Sequence, residues 1–325
     1  MSSRTAAAPA DRVHQAAAIL GRRAQPDVPL APMTTYRVGG AAALFVRAQD
    51  VDDLAAVGAA RAESGLPVLV VGRGSNLLVA DEGFAGIAVS VADLAAGIDL
   101  GAADAPGVPV VVAAGGGVAL PVLARRTAAA GLTGFEWAVG VPGSVGGAVK
   151  MNAGGHGSDM AAGLVDVDLF EFTTAAAPVR VPASALSLRF RGSSVSDDQV
   201  VLTARLRLRG GDAAASEAEI AEIVRWRRAH QPGGQNAGSV FVNPVPGEVS
   251  AGLLVDGLGL RGLRIGTAWV SEKHANFIQA SDGGSAADVR AVMDEVRRRV
   301  AEATGYQLRS EVRLVGFAAD GAVRA

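Results

Sequence analysis

From Trp137 to Gly155 the chain reads WAVGVPGSVGGAVKMNAGG, 19 residues with hardly a large side chain among them. Ordering that much small-residue backbone costs conformational entropy that the segment's own side chains cannot offset by packing. The stretch therefore predicts a main chain wrapped around something else, a ligand whose charged or flat groups need close backbone approach. The alternative is a buried glycine-rich crossover. A shorter loop of the same character, GRGSNLL at 72–78, follows directly on the apolar run LPVLVV. Its two glycines one residue apart let amide N–H groups approach a phosphate, and Ser75 and Asn76 add polar contacts. A Rossmann fingerprint does not fit, because Leu77 stands where a third glycine is needed and VADEGFAG is no amphipathic helix. A tight strand-exit turn without a ligand is the rival reading of this loop. Two such loops invite one extended ligand carrying a pyrophosphate.

The rest of the composition narrows the class of that ligand. At 325 residues with a net charge of -2 and both signs interspersed, the chain has neither a basic stripe for nucleic acid nor a polybasic patch for a membrane. A small-molecule partner is expected. The chain has no cysteine, which excludes disulfides, thiolate metal sites and a cysteine nucleophile. No secretory leader and no apolar run long enough to span a bilayer is visible, so a soluble cytoplasmic protein is expected. His156 and His230 have no second ligand at metal spacing, and His230 in AHQPGG reads as a loop residue; no metal is expected.

The pattern is α+β. Residues 1–24 are Ala-rich and polar and read as a loosely docked extension, while 25–211 alternate strands and helices. Val51–Ser64 reads as a helix stopped by Gly65, VVLTARLRLR as an alternating strand, and Gly210, Gly211 and Asp212 as the clearest break. A further α+β unit is expected over 212–325. It contains a helix with Ser285 as N-cap, Val289, Val292, Met293, Val296 and Val300 on one face and Gly305 past its end, then the strand EVRLVGF. The chain has only two lysines and five asparagines, and Lys150, Lys273, Asn76, Asn152, Asn236, Asn243 and Asn276 all fall in loop-rich segments. Each is a turn residue or a functional one.

Six ordered segments resemble those of the UDP-N-acetylenolpyruvoylglucosamine reductase family. They are TTYRVGG at 34–40, VGRGSNLLV at 71–79, GFEWAVGVPGSVGGAVKMNAGG at 134–155, NAGSVFVNP at 236–244, AGLLVDGLGLRGLRIGTAWVSEKHANFI at 251–278 and EVRLVG at 311–316. The resemblance implies an FAD-binding fold of the vanillyl-alcohol-oxidase type over 25–211, followed by a substrate-binding domain. It implies noncovalent FAD, NADPH as hydride donor, and reduction of the enolpyruvyl ether of a UDP-sugar to UDP-N-acetylmuramate, a peptidoglycan precursor. The two glycine loops then become the cofactor cradle: Gly72, Arg73, Gly74, Ser75, Asn76 and Leu77 from the first, and Pro142, Gly143, Ser144, Gly146, Gly147, Asn152, Ala153 and Gly154 from the second.

By the same resemblance Ser239 is the proton donor, Arg191 pairs with the substrate carboxylate, and Glu311 is the catalytic glutamate. Taken alone, Ser239 reads as a turn cap, Arg191 as one of 28 arginines, and Glu311 as an exposed strand end. Asn243, Lys273 and His274 are expected at the substrate. Two departures stand out: Phe190 where the family commonly has tyrosine before the arginine, and Val242 where many members have lysine. The short interval from Arg191 to Ser239 resembles the branch without a tyrosine-bearing lid. A monomer is expected. The rival activities are a sugar or alcohol oxidase on the same fold, which would consume oxygen, and a non-catalytic nucleotide-sugar binder, which has no use for a proton donor.

Overall fold

A computed structural model describes residues 10–103, 105–174 and 177–317. The first lobe comprises α1 (Ala10–Leu20), β1 (Gln25–Pro29), β2 (Ala41–Arg47), α2 (Val51–Ser64), β3 (Val68–Val70), β4 (Leu77–Val79) and β5 (Phe84–Ser90). Its sheet has the order β1-β2-β5-β3, with β2, β5 and β3 parallel and β1 antiparallel to β2. Parallel pairing demands a crossover, and α2 supplies it between β2 and β3. Asp50 caps α2 by accepting from Asp53 N, and Gly65, at φ 63, ends it in the left-handed region.

The extension expected over 1–24 is corrected for its described part. Residues 10–20 form α1, whose Ala16 and Leu20 are fully buried in one core with Leu54, Val57 and Ala60 of α2. Alanine spacing lets the two helices approach closely, and Arg12 Nε donates to Ser64 O at 2.6 Å to fix the end of α2. Residues 1–9 lie outside the described residues.

The second lobe is antiparallel, with β6 (Ile98–Asp99), β7 (Pro109–Gly115), β8 (Leu132–Thr133), β11 (Leu164–Glu171), β12 (Val179–Pro182) and β13 (Gln199–Gly210). Its strand order is β12-β11-β13-β7-β6, with β8 on the end of β13. Between these strands lie α3 (Leu120–Ala129), α4 (Val145–Met151) and the small hairpin of β9 (Gly154–Gly155) and β10 (Ser158–Asp159). Asp212, in the expected break, is the N-cap of α5 (Ala213–His230), accepting from Ala215 N at 2.8 Å. The helix then returns to the second lobe, where Ile220 and Ile223 join the core of Leu123, Trp137 and Leu208. Divided by core, the C-terminal unit thus begins after α5 rather than before it. His230, expected in a loop, is the last residue of that helix.

The C-terminal unit contains α6 (Ala251–Gly257), a meander of β14 (Arg264–Ile265), β15 (Ala268–Val270) and β16 (Ile278–Ala280), then α7 (Ala286–Thr304) and β17 (Arg313–Val315). Val289, Val292, Met293, Val296 and Val300 of α7 are all buried. At about 1.5–3 kcal/mol for each such side chain, this face dominates the docking of the helix. Tyr36, Val38 and Leu78 of the first lobe enter the same core, so the units share an interior.

A polar clamp adds to that shared interior. Asp81 of the first lobe accepts from Ser285 Oγ at 2.7 Å, from Ala286 N at 2.8 Å and from Ala287 N at 3.0 Å, where the amides of α7 are otherwise unpaired. Burial alone would raise its pKa, but the bonds from Ser285 and the two amides outweigh burial and hold the carboxyl below its ordinary value. A depressed carboxyl stabilises the fold above its unfolded pKa and loses that contribution as pH falls through the folded one. Asp81→Ala should therefore cost about 1–2 kcal/mol at pH 7. The melting-temperature gap to the parent should narrow as pH falls below about 4. A gap that stayed constant from pH 7 to pH 3 in calorimetry would rule the charged clamp out.

Candidate active site

The two glycine loops lie against each other. A Cβ built on Gly72 would fall 2.6 Å from Ser144 Oγ, so the first loop passes the second with no room for a side chain. Gly74 has φ +58, and a Cβ there would lie 2.1 Å from Met33 O and 2.6 Å from Thr34 Cα. Its glycine is required by the TTYRVGG turn behind the loop, whereas phosphate access was the expected reason. In the second loop Ser144 is the N-cap of α4, its Oγ accepting from Gly147 N, and α4 ends on Asn152 in the left-handed region.

These loops line a cavity of about 540 Å³. Every expected cofactor residue borders it except Asn152: Gly72, Arg73, Gly74, Ser75, Asn76, Leu77, Pro142, Gly143, Ser144, Gly146, Gly147, Ala153 and Gly154. Asn152 is buried behind the wall as a brace. Its Nδ2 donates to Asp159 Oδ2 at 3.1 Å and Arg189 O at 3.2 Å, and its Oδ1 accepts from Ala161 N at 2.9 Å.

That brace matters because Arg189 begins a tight turn in which Arg189 and Gly192 exchange backbone hydrogen bonds of 2.9 and 3.0 Å. Arg191 sits inside it at φ 55, a left-handed conformation uncommon for a side-chain-bearing residue. The turn aims the guanidinium into the cavity, where Nε lies 2.7 Å from Glu311 Oε1 and Nη2 donates to Gly154 O at 3.2 Å. Burial pushes the Glu311 carboxyl up, against the opposing pull of Arg191.

Glu311 reaches this wall because the chain's last strand returns to the first loop. β17 pairs with β4 in parallel, Arg313 N donates to Asn76 O at 2.9 Å, and Asn76 Nδ2 donates to Glu311 O at 3.0 Å. On its other side Glu311 N donates to Val240 O at 2.7 Å, and Phe241 bridges Ser310, which lays the NAGSVF segment alongside. Asn276 supports that segment, bonding Phe241 N through Oδ1 at 3.0 Å and Phe241 O through Nδ2 at 2.8 Å. Ser239, Arg191 and Glu311 thus come from three distant segments to one cavity.

The expected substrate contacts Asn243, Lys273 and His274 are not among the residues lining that cavity. Asn243 Oδ1 accepts from Ala251 N at 3.1 Å at the start of α6. Lys273 Nζ donates to Arg228 O, capping the end of α5, and His274 is half-buried with its Nδ1 accepting from Asn276 N at 3.2 Å. In their place the wall holds a network that sequence reading missed. Asp197 takes Lys150 Nζ at 2.6 Å and Arg313 Nη2 at 2.6 Å. The rarity of lysine was the one available signal for it.

A family model described as the C-terminal domain of UDP-N-acetylenolpyruvoylglucosamine reductase matches residues 230–315, and one described as an FAD binding domain matches 42–173. UDP-N-acetylenolpyruvoylglucosamine reductase of Heliobacterium modesticaldum is 42% identical over 290 residues, covering 89% of each chain. The protein of the same name from Gloeobacter violaceus is 42% identical over 304 residues, covering 90% of this chain and 96% of its own. The chain belongs to this reductase family. A solved structure, the UDP-N-acetylenolpyruvylglucosamine reductase of Thermus caldophilus, superposes with a TM-score of 0.75 at 33% identity, covering 90% of this chain and 99% of that one.

The fold is accordingly the two-lobed FAD-binding fold followed by the family's C-terminal domain. The enzyme is a flavin-dependent oxidoreductase that uses FAD and NADPH to reduce UDP-N-acetylglucosamine-enolpyruvate to UDP-N-acetylmuramate for peptidoglycan synthesis. The residues present fit FAD on their own geometry. A Cβ on Gly143 would stand 3.4 Å from Ser75 Oγ, and one on Gly147 would stand 3.4 Å from Ser144 Oγ, so side chains at either position would occupy the cradle without colliding with the fold. Among the described residues there is no group of three or more potential metal ligands, and no helix is long and apolar enough to cross a membrane.

The same geometry selects a test. Gly147→Val adds its branches to the cradle rather than to the core. FAD content after purification, read from the visible absorbance per protein, should fall at least about tenfold, while the melting temperature of the flavin-free protein stays within a few degrees. Full flavin occupancy in a folded variant would remove the α4 loop from the cofactor site.

Proposed function

We propose that Ser239, Arg191 and Glu311 carry the chemistry of the substrate half-reaction, on the observation that all three border the glycine-lined cavity. Bound FAD, reduced by NADPH, supplies the hydride for the terminal carbon of the enolpyruvyl group. What remains for the chain is to accommodate negative charge on the neighbouring carbon and carboxylate and to deliver a proton.

Arg191 suits the first task. Its Nε is held by Glu311 and one Nη2 proton by Gly154 O, which fixes the guanidinium plane while leaving its remaining N–H groups for a carboxylate. Holding an arginine in left-handed backbone is a cost that the Asn152 brace and the turn hydrogen bonds offset. Ser239 suits the second task as proton donor. A hydroxyl is a weak acid in water, so the transfer needs support from its surroundings. Glu311 is placed to give it: its N–H donates to Val240 O in the segment that carries Ser239, and burial raises its carboxyl against the pull of Arg191. Noncovalent attachment of FAD accords with a chain that lacks cysteine. NADPH and a nucleotide sugar are cytoplasmic metabolites, which supports that location. One chain contributes all three groups, which supports a monomeric working unit.

Ser239→Ala separates the two half-reactions. Reduction of the bound flavin by NADPH needs no proton delivered to the substrate and should keep its rate. Reoxidation by the enolpyruvyl substrate should slow by about 10²- to 10⁴-fold, the loss expected for a positioned general acid. Rapid-mixing absorbance of the flavin band reads both steps. Equal slowing of the two would make Ser239 structural, and an unchanged reoxidation rate would remove it from the mechanism.

A further inference from the structure

Arg191 and Ser239 each have an asparagine behind them. Asn152 braces the turn that carries Arg191, and Asn276 holds the segment that carries Ser239. The second hold is threefold: Asn276 Oδ1 accepts from Phe241 N at 3.0 Å, its Nδ2 donates to Phe241 O at 2.8 Å, and its backbone O accepts from Val240 N at 2.9 Å. Val240 directly follows Ser239, so these bonds set where the hydroxyl stands in the cavity wall. Asn276 itself lies in the loop between β15 and β16, which is tied by its own side chains. Buried Ser271 accepts from Lys273 N at 3.1 Å through Oγ and donates its amide to Phe277 O at 2.8 Å. At the centre of the loop His274 Nδ1 accepts from Asn276 N at 3.2 Å, and Phe277 N donates to His274 O at 3.0 Å.

We infer that His274 is a positioning residue for Ser239: as a neutral imidazole it holds Asn276, and through Asn276 the serine segment, and it releases that hold when the ring takes up a second proton. The inference rests on the role proposed for Ser239 above. An Nδ1 that accepts must carry a lone pair, which puts the ring's one proton on Nε2. A second proton turns the acceptor into a donor facing the Asn276 N–H, and attraction becomes repulsion. Of the groups that tie this loop, the Ser271 hydroxyl and the Asn276 amide keep their form at every working pH. The imidazole is the one that titrates near neutrality.

The surroundings favour the neutral ring. It packs at 4.7 Å on Phe277, which borders the cavity, and a Cβ on Gly252 of α6 would stand 3.7 Å from His274 Cε1 and 3.6 Å from Asn276 Cβ. The charged groups that face the ring from α6 and the turn after it are Asp256 and Arg261, which bond each other at 2.5 and 2.9 Å. On its own loop Glu272 and Lys273 are exposed, and Lys273 Nζ is turned away to Arg228 O. Burial lowers the His274 pKa from its ordinary 6.5, Arg261 lowers it further, and Asp256 opposes both. The ring is therefore an acceptor at neutral pH, and the hold is lost as pH falls through a value below 6.5. Reduction of FAD by NADPH takes no proton from Ser239 and does not depend on the hold. The sensitivity belongs to the substrate half-reaction alone.

The test follows both half-reactions of the FAD-loaded protein by rapid-mixing absorbance between about pH 5 and about pH 8, the range in which histidine titrates. His274→Phe keeps a ring against Phe277 but has no acceptor. It should slow reoxidation by the enolpyruvyl substrate by about 3- to 10-fold across the range, the value of one hydrogen bond, with flavin reduction unchanged. His274→Asn returns an acceptor that does not titrate, its side-chain oxygen reaching the N–H two residues on. It should recover most of the lost rate at neutral pH and abolish the parent's fall on the acid side. Added to Ser239→Ala, His274→Phe should cost less than about twofold more, because both act through one group. A parent with no acid fall, an acid fall in His274→Asn that matches the parent's, or the full His274→Phe loss on top of Ser239→Ala overturns the inference while leaving Ser239 in the mechanism. Equal slowing of both half-reactions in His274→Phe also overturns it, as general loosening of the fold. Reoxidation unchanged by Ser239→Ala itself would instead remove the reading on which the inference rests. Should His274→Phe fail to fold, the pH profile of His274→Asn decides.

Discussion

The parallel pairing of β17 with β4 is the contact on which the active-site geometry depends. Three ladder residues from near one end of the chain lie beside three that follow the first glycine loop, and Asn76 fastens the join from both its backbone and its side chain. Because the register puts Arg313 opposite Leu77, Glu311 falls beside Asn76, and the carboxylate arrives where Arg191 can meet it. A slip of one residue would turn Glu311 to the opposite face and leave the guanidinium unpaired. The position of one carboxyl group is thus set by backbone hydrogen bonds in a different part of the chain from the group it serves.

Around this join the cavity is built from charges already paired. Asp197 pairs with both Lys150 and Arg313 and Glu311 pairs with Arg191, two carboxylates among three cations, which orders the charged side chains while leaving the walls net positive. The part-buried Arg191–Glu311 pair contributes little net stability but constrains direction, because removing either partner strands the other. The strained Arg191 turn follows the same logic. Its conformation is held by Asn152, whose three hydrogen bonds to Asp159, Arg189 and Ala161 immobilise the backbone on which the arginine is mounted.

What could be read beforehand was what is local. The α7 helix shows its cap, its apolar stripe and its terminal glycine within about twenty residues, and α2 does the same, so both stand where their patterns put them. The glycine loops and the resemblance segments also announced the cavity's floor. Long-range partners were not legible. Nothing near Asn152 reveals that it braces Arg189, nothing near Lys273 reveals that it caps α5, and no periodicity couples residue 313 to residue 77. The Ala-rich start misled because small side chains look like weak burial when they are also what close helix packing requires. Nothing near Trp226 in the sequence reveals that the His156 ring meets it edge-on.

The β17–β4 join also has a consequence in time. On the ribosome the first glycine loop emerges early, yet the strand that completes its edge is about 230 residues behind it, roughly ten to fifty seconds at bacterial and eukaryotic elongation rates. Through that interval β4 has an unpaired edge, and Leu78, destined for the C-terminal core, has nothing to pack against. A nascent chain can therefore fold its second lobe before it can hold the cofactor in its final geometry. Flavin loading is in this sense a report that synthesis has reached the far end of the substrate unit, and an arrested chain that stops short of β17 should be a poor flavoprotein however well its lobes have formed.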